Sequence, residues 1–288
     1  MKTLLLIDAN ALVHRCFHAL PPLTGPGNKP LGAIYGLSSI LIRIFRQEPP
    51  DYVAAFFDRP EPTFRKKIFE EYKIHRPKAP DELVSQIIEA HNLFEFSGIK
   101  IFEAPGFEAD DLIGAAVEQF KNVLELKIVI LTGDLDILQL VDNEKVVVET
   151  IKKGVSETII YNEKAVEERY GVLPAQLPDY KGLVGDPSDN IPGAPGIGPK
   201  TAAPLIQKYG NLENFFKNGQ EEKSYPKILK FKEQALLSRD LARIYRQAPL
   251  LLDHLEVLEY RGLDKTKLVQ YFKKLGFKSL AVRIEGVL

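Results

Sequence analysis

Lys127-Ile128-Val129-Ile130-Leu131-Thr132-Gly133-Asp134-Leu135-Asp136 is the stretch on which the fold turns. An apolar, β-branched run from Lys127 to Leu131 reads as a strand. It ends in a tight turn that carries two aspartates one residue apart. Comparable runs occur at Leu4 to Ile7, Tyr52 to Phe57, Ile99 to Phe102 and Val146 to Glu149, and longer helix-like segments separate them. That alternation predicts an α/β fold with a mostly parallel central sheet flanked by helices. Ligands of such sheets sit at the carboxyl ends of the strands. Asp8, Asp58 and Asp134 each follow a predicted strand, and Glu108 and Asp110 open a helix soon after one. With Asp186 and Asp189 farther along, five distant segments are therefore expected to line one crevice.

Nine acidic residues fall in five such clusters: Asp8; Asp58; Glu108, Asp110 and Asp111; Asp134 and Asp136; Asp186 and Asp189. Carboxylates gathered in one place raise each other's pKa, and divalent cations are the usual means of holding them ionised. The pattern therefore points to a multi-metal phosphodiesterase site. Taken singly, each cluster has a plainer reading. Asp8 could cap the following helix, the three acids at 108–111 could favour a helix dipole, and the 185–190 stretch could be a polar turn. Glu108 and Asp111 share a helical face by their spacing of three, with Asp110 to the side. A dehalogenase-like phosphatase would need an Asp two positions after Asp8, where Asn10 stands.

Ile191-Pro192-Gly193-Ala194-Pro195-Gly196-Ile197-Gly198-Pro199-Lys200-Thr201-Ala202 reads as a glycine-rich hairpin between two helices. Gly193, Gly196 and Gly198 would let backbone N–H groups approach a phosphate at a helix start, with Lys200 adding a point charge. The spacing excludes a Walker loop. Between Arg59 and Lys78 the chain carries Arg65, Lys66, Lys67, Lys73 and Arg76 interleaved with Phe64, Phe69, Tyr72 and His75. Cations with aromatic faces are the ingredients of a single-strand groove, and the segment directly follows Asp58. His14 and His18 share a helix at ligand spacing, but packing or capping is expected of them, not zinc.

With 288 residues and 45% hydrophobic content the chain has ample core. Its net charge of −1 conceals an uneven distribution. If nine of 39 acids face metals, 30 remain against 38 Lys and Arg, a surplus of about eight that can track phosphates. The Met1 to Ile7 start imitates a signal peptide, but Asp8 and Asn10 interrupt it. No segment is long enough to span a membrane, and the lone Cys16 fits a reducing interior, so a cytoplasmic location is expected. After about residue 160 short helices broken by Pro and Gly are expected, at Asn162 to Tyr170, Pro174 to Leu183 and Pro199 to Tyr209. An amphipathic helix is expected from Leu263 to Phe277.

The five carboxylate clusters, the segment from Thr63-Phe64-Arg65 to Glu71-Tyr72-Lys73-Ile74-His75-Arg76-Pro77, and the Gly196-Ile197-Gly198 hairpin together resemble the bacterial 5′-nuclease (flap endonuclease) family. The likeness is nearest to the N-terminal 5′ to 3′ exonuclease domain of DNA polymerase I. It implies a PIN-like nuclease core over residues 1–172 with a helical arch at about 59–80. A helical DNA-binding region would follow over 173–288, with a helix-three-turn-helix at about 179–209. It also implies an Mg²⁺-dependent 5′ to 3′ exonuclease or flap endonuclease, without polymerase activity, that removes RNA primers, processes Okazaki fragments and serves repair. Asp8, Asp58, Glu108 and Asp110 match carboxylates around one metal. Asp134, Asp136, Asp186 and Asp189, with Asp110 or Asp111 shared, match those around a second. Lys73 and Arg76 match cations on the scissile phosphate, and Arg15 and Arg65 match basic residues nearer the 5′ side. Tyr72, Lys66, Lys67, Gly193, Gly196, Gly198, Lys200 and Thr201 would meet DNA. The family implies two Mg²⁺ ions, replaceable by Mn²⁺, and K⁺ at the hairpin. Its partners would be DNA with 5′ flaps, nicks or RNA-primed 5′ ends, with a polymerase in cis or in trans. A monomer in the bacterial nucleoid is expected. The chain departs from the family at Ala9, Leu135 (usually Lys), Pro199 (usually Glu) and Pro204, which is expected to kink its helix. The alternatives are a catalytically silent scaffold of the same fold and a PIN-type ribonuclease.

Overall fold

The computed structural model describes residues 1–153 and 157–285, so the last three residues of the expected 173–288 region lie outside it. A six-stranded sheet runs β3-β2-β1-β4-β5-β6. Its strands are β1 (Lys2–Asp8), β2 (Tyr52–Phe56), β3 (Lys100–Phe102), β4 (Leu126–Thr132), β5 (Val146–Lys153) and β6 (Glu157–Tyr161). The first five are parallel and β6 is antiparallel to β5. All five expected strands are present, and β6 is an addition.

The strands read as continuous apolar runs because both faces of the sheet are covered. Leu4 and Leu6 of β1 point into one core with α5 (Ala109–Phe120), whereas Leu5 and Ile7 point into the other, with α1 (Ala9–Ala19), α2 (Gly32–Gln47) and α4 (Asp81–Phe96). The first core continues without a break into the helical region through α6 (Glu163–Tyr170), α7 (Leu177–Val184), α8 (Pro199–Tyr209), α9 (Leu212–Asn218), α10 (Tyr225–Leu229) and α11 (Lys232–Ala242). Helix α8 runs through Pro204 unbroken from Pro199 to Tyr209.

Two expectations about extent need correction. The region after 173 is not one spatial unit. The final helices α12 (Lys265–Lys274) and α13 (Lys278–Glu285) return to the nuclease core, where Leu268, Phe272, Leu280 and Ile284 pack with Leu37 and Phe94. An amphipathic helix with a buried stripe could not stay in solvent, and the α2/α4 face offered it an apolar partner. The 59–80 segment holds only the short helix α3 (Phe64–Ile68), followed by turns, and is no continuous helical arch. It folds down over the carboxyl end of the sheet, fastened by Lys73 N–H donating to the Asp189 carbonyl and Asn190 Nδ2 donating to the Glu71 carbonyl.

Strand order fixes where a crevice opens. The chain leaves β1 for β2 and β3 on one side and returns as β4 on the other. The loops after β1 and β4 therefore diverge, at the point where open α/β sheets bind ligands.

Candidate active site

A cavity of about 320 Å³ lies at that divergence. Asp8, Asp58, Glu108, Asp110 and Asp134 line it, with Lys73, Arg76, Arg15, His14 and His18 around them. Asp8 caps α1, as its plainer reading has it, and also lines the cavity. Its Oδ1 accepts the N–H of Ala11 at 3.0 Å as a helix cap, while Oδ2 accepts the Thr132 hydroxyl at 2.6 Å. Asp58 Oδ1 accepts the N–H of Ala109 at 2.7 Å, so the loop after β2 is tied to the start of α5. Gly133 permits the approach of β4 to α1, because a Cβ there would lie 2.9 Å from the Ala11 carbonyl oxygen. Thr132 was not singled out from sequence, yet it joins the cluster: its Oγ1 donates to Asp8 and accepts the N–H of Asp134 at 2.9 Å. A hydroxyl at a strand end beside an aspartate turn was the available signal.

Electrostatics follow from this crowding. Burial pushes Asp8 up to about 7 against its hydrogen bonds, and Asp58 and Asp134 push it further. Burial raises Asp58 as well. Asp110 stands well above its ordinary value through burial and then the charges of Asp8, Asp134 and Asp58. Among the described residues no three acidic, His or Cys side chains already converge at ligating geometry. The hard oxygen donors around the cavity are of the kind that oxygen-preferring divalent cations take.

The shifts make a prediction. An unfolded chain loses the Asp8 proton near pH 4, whereas the folded protein keeps it to about 7. Over that window the native state binds more protons, so this group's contribution to stability falls as pH rises. In EDTA the melting temperature should decline across the window. A divalent ion should raise it more at about pH 8 than at about pH 5, and an equal metal-induced shift at both values would contradict the assignment.

The remaining carboxylates are not in this cavity. Asp189 accepts from Arg76 Nη2 and from the Tyr72 hydroxyl at 3.2 Å, and Lys73 Nζ donates to Glu108 Oε2 at 2.8 Å. Asp136 and Asp186 share the ammonium of Lys181. Lys73, Arg76 and Lys181 are therefore seated on acidic groups.

Asp111 and Arg65 require correction. Asp111 is fully buried and turns back from the cavity, where its Oδ2 accepts the N–H of Glu108 at 3.1 Å in a reciprocal capping box. Arg65 meets it in a fork, with Nη1 to Oδ2 at 2.8 Å and Nη2 to Oδ1 at 2.7 Å. Arg65 also donates to the carbonyls of Leu241 and Arg243. Both groups are engaged in joining α3, α5 and the chain at 241–243, and neither lines the cavity.

The DNA-facing set divides too. Tyr72 is buried, so its ring offers no stacking face, and Lys66 Nζ is spent on the Tyr72 carbonyl at 3.1 Å. Lys67 is exposed. Gly193 is buried for packing, since a Cβ there would lie 2.3 Å from the Gly185 nitrogen. Gly196, at φ 72°, Gly198 and Lys200 are exposed around the start of α8, and Thr201 is half-buried there. His14 and His18 are exposed on the cavity wall, and His18, in the last turn of α1, stands edge-on to Phe17 with ring centroids 5.2 Å apart.

The chain matches the family described as 5′-3′ exonuclease, N-terminal resolvase-like domain, over residues 3–171, and 5′-3′ exonuclease, C-terminal SAM fold, over 172–266. It is 42% identical over 285 residues to DNA polymerase I of Caldicellulosiruptor bescii, covering 98% of this chain and 33% of that protein. It is 38% identical to the 5′-3′ exonuclease of Aquifex aeolicus, covering 100% of this chain and 96% of the relative. The chain thus spans about a third of the polymerase and nearly all of the exonuclease. A bacteriophage T5 flap endonuclease in a pseudo-enzyme-product complex with DNA and metal ions shares the fold, with TM-score 0.68 at 20% identity over 99% of this chain and 98% of that one. Among the described residues no helix is long and apolar enough to cross a membrane. Family matches that together run from residue 3 to residue 266, on a sheet whose switch-point cavity is lined with carboxylates, establish that the chain belongs to the 5′-3′ exonuclease family.

Proposed function

We propose that this chain is a structure-specific 5′ nuclease that hydrolyses DNA phosphodiesters near a 5′ end or flap junction, with Mg²⁺ as its ion. One observation carries the reading: five carboxylates from four chain segments line a single cavity whose rim holds Lys73 and Arg76. The names of the Aquifex exonuclease and of the T5 flap endonuclease, the latter bound to DNA and metal ions, support it. When bound, the divalent ions supply Lewis-acid activation of water and of the leaving 3′ oxygen. Asp8, Asp58, Asp110 and Asp134, with Glu108 at the edge, would hold the inner ion, and Asp136 and Asp186 the outer one. Lys73 and Arg76 move from Glu108 and Asp189 to the scissile phosphate and offset its growing charge. Thr132 holds Asp8 and the Asp134 backbone in register, and Arg15 lies on the same wall. A replication and repair role at the nucleoid follows from this substrate, with a polymerase acting on the gap that the nuclease leaves.

The exposed end of the hairpin would hold duplex backbone at the start of α8. Lys200→Ala is expected to weaken binding to all duplex sequences alike and to reduce the salt-dependence slope by about 1. Binding titrations at several salt concentrations check this, and an unchanged slope would remove Lys200 from the interface.

The function itself is tested with a 5′-flap duplex, a blunt duplex and a single strand, each labelled at both ends, in Mg²⁺ or EDTA. Mg²⁺-dependent cutting near the flap junction is expected. Binding without cutting would favour a silent scaffold, and cutting confined to RNA would favour a PIN-type ribonuclease.

A further inference from the structure

Lys181 was passed over by every motif in the sequence, yet it sits at the centre of the outer acidic pair. It lies in the last turn of α7, five residues before Asp186, and its Nζ donates to Asp186 Oδ2 at 2.7 Å and to Asp136 Oδ1. Asp136 comes from the turn after β4, so the ammonium bridges the nuclease core and the helical region. The side chain is only 14% exposed. The other Asp186 oxygen accepts the N–H and hydroxyl of Ser188 at 2.9 and 2.6 Å. Asp186 is therefore fully engaged without any metal. Asp136 also gives its N–H to Asp134 Oδ1 at 2.9 Å, which couples the outer pair to the inner cavity.

Compare the inner group. Asp8 takes hydrogen bonds from the Ala11 N–H and the Thr132 hydroxyl, Asp58 takes one from the Ala109 N–H, and Asp110 lines the cavity beside them. In the inner group Lys73 pairs with Glu108 at the edge, whereas in the outer pair one ammonium bridges both carboxylates.

We infer that Lys181 is a built-in counter-cation that competes with a divalent ion for Asp136 and Asp186, so that the outer ion binds more weakly than the inner one. The inference rests on the proposed metal-dependent function. A divalent ion entering between Asp136 and Asp186 must displace an ammonium that is already desolvated and hydrogen-bonded, and this exchange subtracts from its affinity. The freed ammonium needs a new anion close by. A DNA phosphate supplies one, and outer-ion binding thereby becomes coupled to substrate binding.

The test needs no turnover. Mn²⁺ binding to the full chain, without DNA, is measured by calorimetry and by electron paramagnetic resonance for the native protein, Lys181→Met and Lys181→Arg. The native protein should bind one ion tightly and a second at least about tenfold more weakly. Lys181→Met should tighten the second by about tenfold or more and leave the first within about twofold. Lys181→Arg keeps the charge and should retain the weak second site, which separates charge competition from simple loosening of packing. Melting in EDTA controls for folding: the Met variant should melt lower than native without metal and regain the difference in Mn²⁺. Unchanged second-site affinity in the Met variant, or equal tightening of both sites, would overturn the inference and leave the nuclease reading standing. Absence of Mn²⁺ binding in all three proteins would overturn both.

Discussion

Asp110→Asn is expected to raise the melting temperature of the metal-free protein and, in the same molecule, to lower metal-dependent cleavage by about 10³-fold or more. The two effects share one cause. Asp110 opens α5 and faces the cavity, where burial and the charges of Asp8, Asp134, Asp58 and Glu108 all disfavour its ionised form. Above its ordinary pKa the unfolded chain ionises this group freely, whereas the folded one must hold it against repulsion. Asparagine keeps the shape and removes the charge, so the metal-free fold relaxes. The same removal takes away an anionic ligand from a site whose ions together contribute several kcal/mol to the barrier, at about 1.4 kcal/mol per tenfold. Thermal melts in EDTA and in Mg²⁺, beside flap cleavage, decide the matter. A general folding defect would lower both quantities, and an unrelated surface aspartate would move neither. Opposite signs are therefore diagnostic. A variant that melts lower than native in EDTA would show that Asp110 is held by favourable partners and is no member of a repelled cluster.

The same physics explains which parts of this molecule could be read from its sequence. The run from Lys127 to Leu131 and its counterparts were legible because a strand covered on both faces must be apolar throughout, and five such runs separated by helices leave few topologies. The placement of Asp8, Asp58, Asp110 and Asp134 in one cavity followed from the switch in strand order. Strand β6 escaped because Thr158-Ile159-Ile160-Tyr161 is short, half exposed and paired only at an edge. The role of Asp111 escaped for a different reason. Spacing of three put it on the same helical face as Glu108, but Glu108-Ala109-Asp110-Asp111 is also a capping-box spacing. The box turns Asp111 back over the helix start, toward Arg65. Lys181 had no motif at all; only the fold brings α7 beside the turn after β4. The 59–80 segment was legible as basic and aromatic but not as closed, because its partners are the carboxylates it covers. Sequence identifies such charges one at a time. Which of them pair is decided by distances that span, for Arg76 and Asp189, 113 residues of chain.

Arg65→Ala is expected to cost about 3–5 kcal/mol of folding stability, the range for removing one partner of a buried ion pair. The guanidinium is 3% exposed and engages the two Asp111 oxygens together with two backbone carbonyls. Asp111 gives its remaining capacity to the N–H groups of Glu108 and Tyr245. Truncation therefore leaves a carboxylate with no exposed surface and no cation, and it unties α3 from the 241–245 segment at once. Much of the cost is that stranded charge, so the double variant with Asp111→Asn should be less destabilised than the sum of the single changes. Denaturant unfolding of the four proteins in the cycle measures this coupling, and about 1–3 kcal/mol of positive interaction is expected. Cleavage by Arg65→Ala should fall mainly as the folded fraction falls, and should recover under stabilising conditions such as lower temperature. The alternative assignment gives the opposite pairing. If Arg65 met the 5′ side of a DNA strand, its loss would lower turnover at unchanged stability, and the coupling to Asp111 would be absent. That result would move its guanidinium out of the fold's joinery and into the group that Lys73 and Arg76 form on the cavity rim.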